Sequence, residues 1–174
     1  MLSKMLSVAQ SKYYWIGLTG LGVMLEVVAL FYQYGLNYLP CVLCIHVRIW
    51  IMGFILVAIG VLILFRYSYT SAIGHGLTTV MMIGGLERSW YMLAIERGTV
   101  FGSCGMDSGL PAWFQLDQWF PMMFKVWESC GYTPLLLFRV SMAEALTLMF
   151  GLMLMISGLF AFISVRNVII KRFS

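Results

Sequence analysis

Ile49-Trp50-Ile51-Met52-Gly53-Phe54-Ile55-Leu56-Val57-Ala58-Ile59-Gly60-Val61-Leu62-Ile63-Leu64-Phe65 runs without a charged side chain. About 17 residues is the lower end for a helix that crosses a bilayer, and this stretch reaches it. Its apolar residues are continuous rather than alternating. In lipid only a helix or a closed barrel satisfies its own backbone, so the run predicts a membrane helix. Three further runs are comparable. Tyr13 to Phe31 is broken only by Glu26, and Val140 to Val165 only by Glu144. Ser71 to Leu86 continues past Glu87 and Arg88 to Ile95, and qualifies if its charged end reaches the interface.

The expected fold is therefore an all-α membrane protein, a bundle of four transmembrane helices in a single domain, 1–174. The spans fall near 13–31, 49–65, 71–92 and 140–165, with loops near 32–48 and 93–139. The first run is longer than a signal-peptide core and no A-x-A-like site follows it, so it reads as a retained helix. Composition agrees: 61% of residues are hydrophobic and 10% charged. A soluble domain carries about 25% charged residues, so too little polar surface exists here to cover a globule in water.

Four spans place both termini on one side of the membrane. That side holds Lys4, Lys12, Arg66, Arg166, Lys171 and Arg172, and no acid. On the other side the cations are Arg48, Arg88, Arg97, Lys125 and Arg139, offset by acids that include Glu87, Asp107 and Glu128. Basic residues close to the span ends mark the cytoplasmic face. The charge of +4 then reports topology and implies no nucleic-acid partner. Cys41 and Cys44 fall in the first outer loop, Cys104 and Cys130 in the second. An even cysteine count on the oxidising face is what disulfide chemistry requires.

Cys41 and Cys44 stand one helical turn apart where Pro40 precedes the second span. Pro is tolerated there because its missing N–H has no helical partner. Exposed N–H groups and the dipole at a helix start favour a thiolate. Arg48, four residues past Cys44, shares its face, and a guanidinium there would lower the Cys44 pKa and could bind a quinone oxygen. Covalent haem would need His directly after Cys44, where Ile45 stands, and His46 is one residue late. A zinc ribbon would need a second Cys-x-x-Cys downstream, and Cys104 stands alone. Cys104 sits in Phe101-Gly102-Ser103-Cys104-Gly105, a composition of accessible loops. It is either a thiol presented to another protein or half of a structural staple with Cys130. Between them, Pro111 to Pro121 and on to Trp127 places aromatic residues at near-helical spacing, with Pro121 expected to split the segment into short helices. The segment lies either on the outer leaflet or packed on the span ends.

These residues resemble the DsbB family, bacterial membrane proteins that reoxidise the periplasmic thiol oxidase DsbA. The likeness rests on Glu26 with Ala29-Leu30 and Gln33, on Pro40-Cys41-Val42-Leu43-Cys44-Ile45 with Arg48, on Arg88, and on Cys104, Pro111–Pro121 and Cys130, and it covers residues 13–165. Two features depart from it: Leu135-Leu136-Leu137-Phe138 lacks the expected tryptophan, and so does Ala145. Glu87 beside Arg88 is also unexpected. The resemblance implies a thiol-disulfide oxidoreductase of the inner membrane. Reduced DsbA attacks a Cys104–Cys130 disulfide at Cys104, Cys130 exchanges with Cys41, and Cys44 delivers the electrons to ubiquinone or menaquinone, with no metal. Arg48, Cys44, Arg88, Glu26 and His46 are the candidate quinone-binding residues. Alternatives are a specialised DsbB paralogue, a VKOR-like quinone reductase, and a non-catalytic metal- or haem-binding subunit.

Other residues have plainer readings. Glu26 is an intramembrane carboxylate and so a functional candidate, with pairing to Arg48 or Arg88 or a structural role as options. His46 is close enough to relay a proton to reduced quinone, or is structural. His75, near the cytoplasmic end of the third span, is expected at the interface. Fourteen methionines read as pliable apolar filler rather than a copper path. Gly17, Gly20, Gly22, Gly151 and Gly158 are expected to permit close helix approach.

Overall fold

The computed structural model describes residues 7–66, 69–100, 105, 107–131, 133–136 and 139–173, with backbone alone over 168–173. Lys4, Cys104, Leu137 and Phe138 lie outside these residues, as do the side chains of Lys171 and Arg172. Among the described residues the structure is helical, with two isolated bridges and no strand. Helix α1 spans Lys12–Leu30 and runs into a π turn over Phe31–Gly35. Then come α2 (Val42–Ile63), α3 (Thr70–Glu96), two single turns, α4 (Leu116–Trp119) and α5 (Pro121–Phe124), and α6 (Met142–Phe173).

The helix starts follow from local chemistry. Ser11 caps α1, its side chain accepting from the Tyr13 N–H at 3.3 Å. Pro121 opens α5 and so divides it from α4, as a residue without an N–H does. Ser141 and Glu144 form a reciprocal capping box at α6: Ser141 N–H donates to Glu144 Oε2 at 3.1 Å and Glu144 N–H to Ser141 Oγ at 3.2 Å. The one acid in the fourth apolar run is thus a helix cap.

Among the described residues three helices are long and apolar enough to cross a membrane: Lys12–Gly35, Val42–Ile63 and Met142–Asn167, with mean hydropathies of 1.7, 2.4 and 2.3. Helix α3 is long enough at 27 residues but is not among them. Ser71, His75, Thr78, Glu87 and Arg88 dilute its apolar content.

Helix α1 packs on α2, α2 on α3, and α3 on α6. Trp15, Phe54, Ala58, Met82 and Phe150 meet in the core between them. His75, near the start of α3, is fully buried within the protein: Nε2 donates to the Ala9 carbonyl at 3.0 Å, and Tyr14, Trp15 and Phe160 surround the ring. Of the glycines expected at close approaches, Gly22 abuts the Ile55 and Phe54 side chains, while Gly17, Gly20, Gly151 and Gly158 face nothing within 4 Å; Gly74, Gly84 and Gly85 also abut neighbouring side chains. A Cβ on Gly85 would stand 2.3 Å from the Phe150 ring. Gly85→Ala therefore overpacks the α3–α6 contact and should cost about 1–3 kcal/mol. Thermal unfolding in detergent should show Gly85→Ala melting below wild type and Gly158→Ala unchanged. Equal melting temperatures for the two variants would contradict this packing.

Candidate functional site

The site is built at the N-terminal end of α2. Cys41 has extended backbone and caps the helix, its sulfur accepting the Cys44 N–H at 3.3 Å. The two sulfurs stand 2.7 Å apart, and both cysteines are free. A disulfide bond measures about 2.05 Å, so bond closure needs only a small shift. Cys41 is buried and Cys44 half-buried. The Cys44 thiol also lies 3.8 Å from the Met92 sulfur. The hydrogen bond from the Cys44 thiol, aided by backbone N–H groups, holds the Cys41 thiol below the usual thiol pKa, against the opposing effect of burial. The helix start thus acts on Cys41 through direct capping.

The second loop is laid against this end. Trp127 N–H donates to the Pro40 carbonyl at 3.1 Å, and Cys41 and Glu128 form a parallel bridge. Cys130 is disulfide-bonded and packs on the same cluster as Cys41, Met92, Leu93 and Ala143. Further on, Leu136 N–H donates to the Val140 carbonyl at 2.8 Å and Met142 N–H to the Pro134 carbonyl at 3.0 Å, folding 134–142 over the mouth of α6. Thr133 bonds Glu96 at 2.8 Å and Arg97 pairs with Glu144 at 2.8 Å, fastening that fold to the end of α3.

Beside Cys44 is an apolar cavity of about 270 Å³, walled by α1, α2, α6 and the 134–136 segment. Cys44, Arg48, Gln33 and Met92 line it, as do Leu136 and Ala145, which belong to the two stretches that lack the family's tryptophan. Arg48 is 6% exposed. One terminal nitrogen donates to Gln33 Oε1 at 2.6 Å and the Met123 carbonyl at 3.0 Å, the other to the Ala29 carbonyl at 3.0 Å. A guanidinium has five N–H donors, so these three bonds leave donors to spare. No hydrogen bond joins Arg48 to Cys44 among the described residues. Gln33 also donates to the Met122 carbonyl at 3.1 Å, and Tyr34 Oη bonds the same carbonyl.

The remaining candidates are placed apart from the cavity wall. Glu26 is 5% exposed, near enough to Arg48 to feel its field, and neither carboxylate oxygen has a hydrogen-bond partner among the described residues. Arg88 stands outside the cavity, its Nε 2.9 Å from Glu87 Oε2. His46 points away from it to the Ser108 carbonyl. Cys104 lies outside the described residues. Gln33 and Met92 were not singled out as site residues from sequence. For Gln33 a signal existed, a lone amide at the outer end of an apolar run; Met92 gave none among fourteen methionines.

Capping makes a specific prediction about Cys41. With Cys104 and Cys130 replaced by Ser, Cys44→Ser keeps a side-chain donor beside Cys41 and Cys44→Ala removes it. Thiolate absorbance should appear at lower pH in the Cys44→Ser protein than in the Cys44→Ala protein. Coincident titrations would mean that the Cys44 side chain does not set the Cys41 thiol.

Comparison with known proteins agrees with this geometry. The family model of the disulfide bond formation protein DsbB matches residues 11–160. A disulfide bond formation protein B from Shewanella sp. (strain W3-18-1) is 28% identical over 153 residues, covering 87% of each chain. That of Shewanella frigidimarina is 26% identical over 152 residues, covering 87% of this chain and 90% of its own. Disulfide bond formation protein B 2 of Pseudomonas aeruginosa (strain PAO1) is 29% identical over 148 residues, covering 82% of this chain and 85% of its own. An apolar helical bundle with a dithiol at a helix mouth, matched by the family over most of its length, belongs to the DsbB family of membrane disulfide bond formation proteins.

Proposed function

We propose that the chain is a protein dithiol:quinone oxidoreductase of the bacterial inner membrane. It reoxidises a DsbA-like periplasmic thiol oxidase and passes the electrons to ubiquinone or menaquinone. The observation that supports this most directly is that Cys44 and Arg48 share the wall of one apolar cavity while Cys41 touches Cys44. We read α3 as a fourth crossing helix, because it packs against both α2 and α6. On this reading both termini are cytoplasmic, from the basic flanks, and both cysteine loops are periplasmic.

The route is a sequence of thiolate attacks on disulfides. A partner thiolate attacks Cys104 of a Cys104–Cys130 disulfide, and Cys130 leaves as thiolate. The partner's second thiolate displaces Cys104, so the partner departs oxidised and two electrons stay on Cys104 and Cys130. Cys130 then attacks Cys41 of a Cys41–Cys44 disulfide, releasing Cys44 as thiolate at the cavity. Cys104 resolves the Cys130–Cys41 bond, which restores Cys104–Cys130 and leaves Cys41 and Cys44 reduced. Their closure gives up two electrons and two protons.

The cavity fits a quinone head: its lining is apolar apart from the Cys44 thiol, the Arg48 guanidinium, the Gln33 amide and the tyrosines Tyr32 and Tyr38, groups that suit a flat ring bearing carbonyl oxygens. When bound, quinone supplies the two-electron sink. Arg48 holds a fixed positive charge near the departing Cys44 thiolate and has donors free for a carbonyl oxygen. Cys44 presents sulfur to the same space. Gln33 and the Ala29 and Met123 carbonyls hold the guanidinium in place.

Steady-state oxidation of reduced DsbA by the purified protein with added quinone tests the proposal, and a protein that needs no quinone would refute it. Removing one positioned donor typically costs about 10²-fold. Arg48→Leu should slow quinone reduction on that scale and raise the quinone KM, with thiol exchange between DsbA and the Cys104–Cys130 pair nearly unchanged. Arg48→Lys should fall between, since it keeps charge but loses the planar fork. Arg88→Leu should have the smaller effect. Wild-type quinone kinetics in both Arg48 variants would remove Arg48 from the site.

A further inference from the structure

His46 follows Cys44 by two residues, so on a helix of 3.6 residues per turn its side chain points well away from the Cys44 face. It cannot share the cavity, and it is tied to the other loop instead. Its Nε2 donates to the Ser108 carbonyl at 2.8 Å. Ser108 is 4% exposed, and its hydroxyl donates to Asp117 Oδ2 at 3.0 Å. The turn that drives Ser108 inward is built for the purpose: Gly109 has φ +63, a conformation that L side chains rarely adopt, and its N–H donates to Asp107 Oδ1 at 3.3 Å. Asp117 lies on α4, and α4 returns to α2 through Leu116, which packs with Phe124 and Val126 against the fully buried Ile45. Adjacent residues of one α2 turn, Ile45 and His46, thus hold both ends of the 107–117 segment.

We propose that His46 is a positioning residue for thiol exchange with the partner protein: by fixing Ser108, four residues after Cys104, it sets where the partner-facing segment sits relative to the dithiol helix. The proposal rests on the functional reading above and gives His46 a task different from proton relay to quinone. With a carbonyl as its Nε2 partner, the neutral ring carries its proton on Nε2. Nδ1 is buried and has no partner among the described residues.

The test uses the full chain in detergent with three variants. His46→Phe keeps a ring and removes the donor. His46→Gln replaces the donor at nearly the same reach. Ser108→Ala removes the link to Asp117. Losing one such hydrogen bond corresponds to about a tenfold change. His46→Phe and Ser108→Ala should raise the KM for the reduced DsbA-like partner by about tenfold, and the quinone KM should stay at the wild-type value. His46→Gln should restore the partner KM. A partner KM unchanged in His46→Phe, or a His46→Gln protein as impaired as His46→Phe, would overturn the proposal. So would a quinone KM that rises with no change for the partner. Amide hydrogen exchange over 107–117 gives a reading independent of turnover. Faster exchange in His46→Phe than in wild type and His46→Gln supports the tie even if wild-type protein oxidises no partner, a result that would sink the functional reading alone. Equal exchange in all three proteins defeats the tie itself.

Discussion

A guanidinium inside an apolar helix bundle has to be solvated by protein. Leaving such a charge uncompensated is among the costliest things a fold can do. Arg48 meets the demand with Gln33, the Ala29 carbonyl and the Met123 carbonyl. Those three acceptors come from the body of α1, its π turn and the end of α5. One side chain therefore gathers the C-terminal end of α1, the start of α2 and the middle of a long loop. Gln33 reaches inward from the π turn, a distortion that recurs at functional sites. The cavity beside Cys44 is the space left where these elements meet α6.

The dithiol obeys a related logic. Cys41 is a helix cap whose sulfur takes a backbone N–H that would otherwise lack a partner. Cys44 is one turn further in and faces the cavity. Helix capping and redox chemistry thus use the same sulfur. The loop strand that bridges Cys41 through Glu128 brings Cys130 onto the same cluster. On the far side of α2, His46 secures the other half of that loop. The two described parts of that loop are fastened to different faces of one α2 turn, 107–117 through His46 and Ile45 and the Glu128 side through Cys41.

Much of this was legible in the residues, because its causes are local. Apolar length, the Pro40-Cys41-x-x-Cys44 start and the break at Pro121 are short-range signals with direct physical meaning. Arg48 limits the uncharged run to Ile49 onward, but the helix itself starts where Pro40 and Cys41 predict, with α2 beginning at Val42. The charge is tolerated only through partners far off in sequence, Met123 above all. Gly22 makes the close approach expected of it, but Gly17, Gly20, Gly151 and Gly158 do not, for a similar reason: a glycine pattern along one helix does not say which face meets a neighbour. Gly85 matters because Phe150 lies opposite it, and Gly158 has nothing opposite. The burial of His75 within the protein was not legible in the sequence, because its partner, the Ala9 carbonyl, is far off in the chain. His46, Arg88 and Glu26 were grouped with the cysteines by proximity in sequence or by family resemblance. Helical phase sends His46 to the loop, Glu87 holds Arg88, and Glu26 keeps to the Arg48 side without a hydrogen bond.

The central claim is that the cavity shared by Cys44 and Arg48 receives the quinone. Photolabelling with an azidoquinone, followed by peptide mapping, tests this most directly. Label protected by excess unmodified quinone should fall on the cavity wall, in residues 25–51 and 134–149. A second groove exists between α2 and α3 lower in the bundle, lined by Leu56, Gly60, Leu64, Ile73 and Leu77. Protected label in that groove, or no protected label on the Cys44 wall, would contradict the account.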